Sequence, residues 1–287
     1  MVSGRFTSKL FEKIVRGEAV SKREEMRITR SILPSFLLGL RELSFETLTY
    51  YNLFMENVKV LYEDNHIIAV FKPAGILSQP DKTKNESMFD EVKTYLKTKY
   101  QKPGAVFLGL VHRLDRPACG ILLFAKTSKG ASRLSEQFRN KTIEKTYQVI
   151  VGGVPKSPRG VLKNLLGKDE KLKKAREFKD GEEANLYYEV IKIVENPTSL
   201  KLRGVNKACY TLLKIKIDAG KFHQIRAQLS LAGMPIVGDV KYKGERWADE
   251  RAIALCATNI SFKMATEDRV INLAMDIPKE WQDLLAN

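Results

Sequence analysis

The chain has few residues of the kinds that build metal centres or covalent staples. Its 287 residues include three cysteines and three histidines. Cys119, Cys209 and Cys256 are scattered without a CxxC pair. They cannot all pair within one chain, and a protein of this length does not need disulfide staples. His66, His112 and His223 show no zinc-site spacing, so no metal is expected. No apolar run is long enough to cross a bilayer, which excludes a helical membrane anchor from the reading. The opening residues MVSGRFTSKLFEKIVRGEAV lack the apolar core of a secretory signal. Glu12, Glu18, Glu24 and Glu25 are too many acids for an organelle transit segment, leaving a cytoplasmic protein as the simpler expectation.

Acid is the scarcer charge. Lys and Arg total 49 against 34 Asp and Glu, a formal charge of +15. A surplus of that size favours a polyanionic partner, because basic groups release the counterions condensed on phosphates. Charge alone does not separate RNA from DNA or an anionic membrane. Hydrophobic residues make up 44% of the chain, enough for a sizeable core in one large domain or a domain with a small companion.

Residues 1–56 differ in texture from the rest. Pieces such as Leu10–Arg16 and Ile32–Leu43 suit helices, and strand-like alternation is missing, so a basic, mostly helical N-terminal extension is expected. Residues 57–287 read as α+β. VKVLYEDNHIIAVFKPAG gives two strands around a turn, ended by a Pro-Gly break. Strands are expected at Val106–Leu114, Ile121–Ala125, Thr146–Val151, Ala184–Val194, Ala208–Ile217 and Ala252–Phe262. Helices are expected at Glu86–Tyr100, at Ser128–Asn140 with Ser128 as cap, and at Phe222–Ala232. Strands and helices do not alternate regularly, which argues against a doubly wound parallel sheet. Between Lys156 and Lys179 lie nine Lys or Arg and three acids. Two readings stand for this stretch: a solvated, mobile insertion or an RNA-contacting arm.

The most informative segment runs His112-Arg113-Leu114-Asp115-Arg116-Pro117-Ala118-Cys119-Gly120 and on to Thr127. A carboxylate flanked by arginines sits on a short loop between apolar runs, where rigid strands can hold a reacting group. This stretch resembles the HRLD motif of the RluA-type pseudouridine synthases. Further segments match that family in order: Lys72-Pro73-Ala74-Gly75, Glu144-Lys145-Thr146-Tyr147, Gly220-Lys221-Phe222-His223-Gln224-Ile225-Arg226, Gly233-Met234-Pro235-Ile236-Val237-Gly238-Asp239, and Ala254-Leu255-Cys256-Ala257. Together they cover Val58 to about Phe262.

The resemblance implies a mixed, largely antiparallel β-sheet with flanking helices and a central basic cleft, without metal or organic cofactor. It implies RNA, either rRNA or tRNA, as partner. No protein partner is implied, and a monomer is expected. By motif position Asp115 is the family aspartate that acts at C1′ of the target ribose. Arg226 matches the arginine that pairs with it, and Tyr147 the tyrosine that stacks on the uracil and takes part in the late proton transfer. Arg113 stands where an arginine either fills the gap left by the extruded base or contacts phosphate. Lys72, Arg116, Lys221 and His223 are the remaining expected RNA contacts. His112 and His223 are read as hydrogen-bonded residues rather than general bases.

The chemistry suits these residue types. Breaking a glycosidic bond develops positive charge on the sugar, which a buried anion stabilises or traps. A glycosidase needs a second carboxylate to deliver water, and no second acid stands beside Asp115 in its segment His112–Thr127. Ala118, Cys119 and Cys256 depart from the family pattern, which has Thr, Ser and His there. A catalytically silent RNA-binding protein, a nucleoside hydrolase and a DNA-binding protein are the competing readings. The silent reading would require loss of Asp115, Tyr147 or Arg226, and all three are present.

Overall fold

Alternation of apolar and polar residues builds most of the molecule. A computed structural model of the chain describes residues 58–83, 85–195, 209–247 and 249–285. The helical segments expected within residues 1–56 lie outside the described residues. Strands β1 (Val60–Glu63), β2 (Ile67–Lys72), β3 (Gly109–Leu110), β4 (Cys119–Ala125) and β5 (Glu144–Gly152) come first. They are followed by β6 (Arg159–Asp169), β7 (Lys174–Glu177), β8 (Glu182–Glu195), β9 (Cys209–Ile217), β10 (Leu255–Lys263) and β11 (Val270–Ala274). All join one sheet in the order β1-β2-β4-β10-β5-β9-β8-β6-β7, with β3 on β4 and β11 on β10. Among the described strands the β4–β10 pair is parallel and the others are antiparallel. The α+β class and the mixed, mainly antiparallel sheet follow as expected.

Helix α1 (Met88–Lys99) sets Phe89 edge-on to Phe124 of β4, α2 (Ser128–Arg139) packs against β4, and α3 (Gln224–Leu231) packs against β6, β7 and β8. A last helix, α4, spans Lys279–Leu285. No described helix is long and apolar enough to cross a membrane. The cap of α2 is Thr127 rather than Ser128: its hydroxyl accepts the Gly130 N–H at 3.1 Å. Ser87 caps α1 in the same way. Strand β4 is buried along its whole length, and Ile121 and Leu123 join Ile67, Leu134, Ile260 and Phe262 in the core. Each such side chain contributes roughly 1.5–3 kcal/mol by leaving water.

Two expectations need correction. The strand expected over Val106–Leu114 is confined to Gly109–Leu110. Beyond it the imidazole Nε2 of His112 accepts the Leu123 N–H at 2.9 Å, so a side chain serves a strand donor where the backbone has left the ladder. The Lys156–Lys179 stretch is not an insertion but holds β6 and β7 of the sheet itself. Along β6, Arg159, Val161, Lys163 and Leu165 face solvent while Leu166 is buried. Reading the segment by its charge concealed this period of two.

Burial, and then the charge of Lys145, push the His112 imidazole down to about 3 from its ordinary 6.5. The folded value is depressed, so the unfolded chain takes up its proton first. The resulting stability is full above about 6.5 and is lost as pH falls toward about 3. His223 contributes with the same sign (see below). The free energy of urea unfolding should therefore fall between pH 7 and pH 5, and His112→Gln should remove about half of that slope. An unchanged slope in His112→Gln would contradict this account of the HRLD histidine.

Candidate active site

Parallel pairing brings the starts of β4 and β10 to the same end of the sheet, with Cys119 opposite Cys256 and Gly120 opposite Ala257. Gly120 has φ +124, and a Cβ there would meet the Ala257 backbone at 2.4 Å, so only glycine fits this seam. The loop carrying Asp115 leads into it. Five successive carbonyls of that loop accept hydrogen bonds. Leu114 O accepts the Ser78 hydroxyl at 2.7 Å, and Asp115 O accepts the Ala118 N–H at 3.0 Å. Arg116 O accepts the Gly75 N–H at 2.8 Å, and Pro117 O accepts the Ile253 N–H at 3.0 Å. Ala118 O accepts Lys72 Nζ at 2.7 Å. A backbone satisfied at every step has little freedom to relax, which is what a reacting side chain needs.

Lys72 is fully buried, and its ammonium also reaches the carbonyls of Pro73, Ile76 and Arg116. Burial lowers it to about 8, with nearby Cys119 and Asp115 opposing the shift. The expected phosphate contact of Lys72 is therefore corrected. With all its donors turned inward, it ties the KPAG turn to the Asp115 loop.

Helix α3 delivers Arg226 from the other side. Its side chain is 5% exposed, and its Nε and Nη2 bind Asp239 at 2.7 and 2.8 Å. Its Nη1 binds Asp115 Oδ2 at 3.1 Å. Burial opposes the guanidinium charge, and the two carboxylates outweigh it, raising the arginine above its ordinary value. Gln228 on α3 donates to the carbonyls of Leu162 and Ala184, fixing the helix on β6 and β8.

Asp115, Arg226 and Tyr147 thus line one cleft of about 1550 Å³, with Arg113, Arg116 and Lys221 along its walls. Tyr147 on β5 is buried, and burial together with the Asp115 charge holds its phenol protonated far above neutral pH. Arg113 is exposed. Arg116 is exposed too, and gives Nε to Gly75 O at 3.0 Å. Lys221 pairs with Glu182. His223 is pushed down to about 4 by burial, against the pull of Asp115, and is neutral near pH 7. His223 lines the cleft, where its ring is engaged by Tyr242 and stacks on Phe222.

Three residues here escaped the sequence reading: Ser78, Asp239 and Tyr242. Asp239 closed a quoted motif, and a buried acid ending an apolar run was the available signal. Ser78 and Tyr242 carried no local signal.

The sheet and cleft define the class. The chain superposes on the human protein described as RNA pseudouridylate synthase domain containing 4 with a TM-score of 0.63, covering 83% of this chain and 97% of that one at 19% identity. Residues 66–231 match the RNA pseudouridylate synthase family, and the chain belongs to it: an isomerase of uridine in RNA. It is 34% identical to an uncharacterized RNA pseudouridine synthase of Mycoplasma pneumoniae, over 76% of this chain and 67% of that one. It is 32% identical to the ribosomal large subunit pseudouridine synthase C of Rickettsia bellii, over 76% and 68%. With the tRNA pseudouridine synthase C of Haemophilus influenzae it shares 29% identity over 79% and 96%.

Lys72→Met should leave RNA affinity and its salt dependence unchanged while lowering stability by about 2–4 kcal/mol, because carbonyls of the active loop lose their donor. Loss of about one unit of salt slope in RNA binding would instead restore Lys72 as a phosphate contact.

Proposed function

We propose that Asp115 is the catalytic carboxylate and that it acts at C1′ of the target uridine. Its contacts to Arg226 and toward His223 both fall on Oδ2, leaving Oδ1 to face the sugar. The N1–C1′ bond breaks as the ribose carbon gains the support of the carboxylate. The detached uracil turns within the cleft and bonds to C1′ through C5. The C5 proton then leaves, and N1 carries a proton in the product, so the atoms balance as an isomerisation. Tyr147 packs against the uracil and, as a neutral phenol, relays the late proton rather than starting as a phenolate. Arg226 pairs with Asp115 and orients it. Arg113, exposed at the cleft, either fills the space vacated by the base or holds phosphate.

The observation that carries isomerisation over hydrolysis is the state of Asp239. Both of its oxygens are held by Arg226, and its side chain is 1% exposed, so it cannot activate water. Asp81, Glu144 and Asp218 also line the cleft, where they are engaged by Thr83, Lys216 and Tyr187, and Asp115 is the lining carboxylate that Arg226 orients. The convergence of Asp115, Arg226 and Tyr147 likewise gives no support to a silent RNA-binding protein.

The names of the relatives point to ribosomal RNA and to transfer RNA as the substrate class. Uridines in single-stranded loops are the accessible targets, since an unstacked base costs less to extrude. We take the enzyme to act in the cytoplasm as a monomer.

The test is tritium release from RNA labelled at C5 of uridine, prepared from a strain lacking the gene. The wild type should release tritium, and Asp115→Ala should release none while binding RNA with affinity unchanged within about threefold, because affinity comes mainly from phosphate contacts. Equal loss of binding and turnover would argue against a chemical role for Asp115. Tyr147→Phe should bind normally and react more slowly by about tenfold or more; full activity there would remove the relay.

A further inference from the structure

Tyr242 ends the short 3-10 turn Val240–Tyr242, directly after Asp239. It is 6% exposed, and the Arg226 guanidinium lies over its ring at 5.0 Å. Its hydroxyl oxygen accepts the Ala175 N–H of β7 at 2.7 Å and meets His223 Nδ1 at 2.9 Å. Burial holds the phenol proton in place, pushing the group up to about 12. That proton must have an acceptor in a buried setting, and His223 Nδ1 is the one facing it. Donation to Nδ1 leaves the proton of a neutral imidazole on Nε2. Nε2 lies 3.8 Å from Asp115 Oδ2, just beyond hydrogen-bond length.

The backbone supports the same orientation. His223 occupies the N-cap of α3 with φ 50 and ψ 25, a left-handed conformation that costs a residue with a Cβ about 1 kcal/mol. Its side chain makes no capping bond, so helix capping does not explain that conformation. The conformation instead presents the ring between Tyr242 and Asp115, flat on Phe222 at 3.8 Å between centroids. Strain of this kind persists where surrounding contacts over-determine it.

The geometry points to Tyr242 as a positioning residue for the isomerisation, acting through His223. Ala175 orients the Tyr242 hydroxyl, Tyr242 fixes the imidazole with its proton on Nε2, and that N–H is aimed at Asp115 Oδ2. A small turn of the Asp115 carboxyl toward Nε2 makes the bond. Oδ2 is then held by Arg226 and His223 together, and Oδ1 keeps a single direction toward C1′. This inference rests on the role of Asp115 proposed above.

Two measurements test it. Nitrogen NMR of labelled histidine in the full chain, with the His223 signals assigned by their loss in His223→Gln, should show the Nε2–H tautomer. Tyr242→Phe should shift that signal toward the Nδ1–H form. A wild-type Nδ1–H tautomer would overturn the inference without any RNA being present. In single-turnover tritium release, Tyr242→Phe should slow the chemical step about tenfold at saturating RNA with unchanged affinity. In a His223→Ala background the same substitution should cost nothing further. An equal loss in both backgrounds would make Tyr242 a packing residue only and overturn the inference. Absence of tritium release from the wild type would count against the isomerase reading itself, while the tautomer would still decide whether Tyr242 orients His223.

Discussion

One guanidinium holds two carboxylates, and the arrangement of the cleft depends on how it divides its nitrogens between them. Arg226 gives two to Asp239 and one to Asp115. A guanidinium carries five N–H donors, so the two-point pairing with Asp239 leaves Nη1 to orient a second carboxylate. The division keeps the charge buried and balanced on one side, and aims what remains at a carboxylate still 27% exposed to the cleft. It also removes Asp239 from chemistry. A carboxylate that could have delivered water is converted into a support for the arginine that orients Asp115.

The sheet makes this division possible. The β4–β10 seam runs parallel within an otherwise antiparallel array, so the Asp115 loop and the chain entering β10 arrive together, joined by the Pro117–Ile253 hydrogen bond. Lys72 closes the opposite side of the loop from within the protein. Helix α3, locked to β6 and β8 by Gln228, then presents Arg226 to a loop that is already rigid. The basic hairpin β6–β7 belongs to the same construction, since Ala175 supports Tyr242 and Tyr242 meets His223.

Much of this was legible in the sequence, and the parts that were not have physical reasons. Short stretches rich in apolar residues marked β2, β4, β5, β8, β9 and β10, because each buries one or both faces in the core. That signal was obscured in β6 and β7, where lysine and arginine fill outward positions and the composition reads as a loop. The short strand β3 was overestimated because the flanking Val106, Leu108 and Leu114 are buried without belonging to the ladder. Asp115, Tyr147 and Arg226 stood out through ordered motifs, and the structure brings them to one cleft. Lys72 was placed on the wrong side of the surface, since a lysine beside proline and glycine looks exposed until its carbonyl partners are seen. Asp239 and Tyr242 matter through contacts with residues distant in sequence, which no local spacing encodes.

The central claim is that Asp115 supports cleavage of the glycosidic bond and that the base is rejoined rather than released. It is tested most directly by running the reaction in heavy-oxygen water and digesting the RNA for mass spectrometry. The account predicts pseudouridine with unlabelled ribose and no free uracil. Free uracil accompanied by heavy oxygen at C1′ would show that water reaches the sugar, and would contradict the assignment of Asp239 and Asp115 made here.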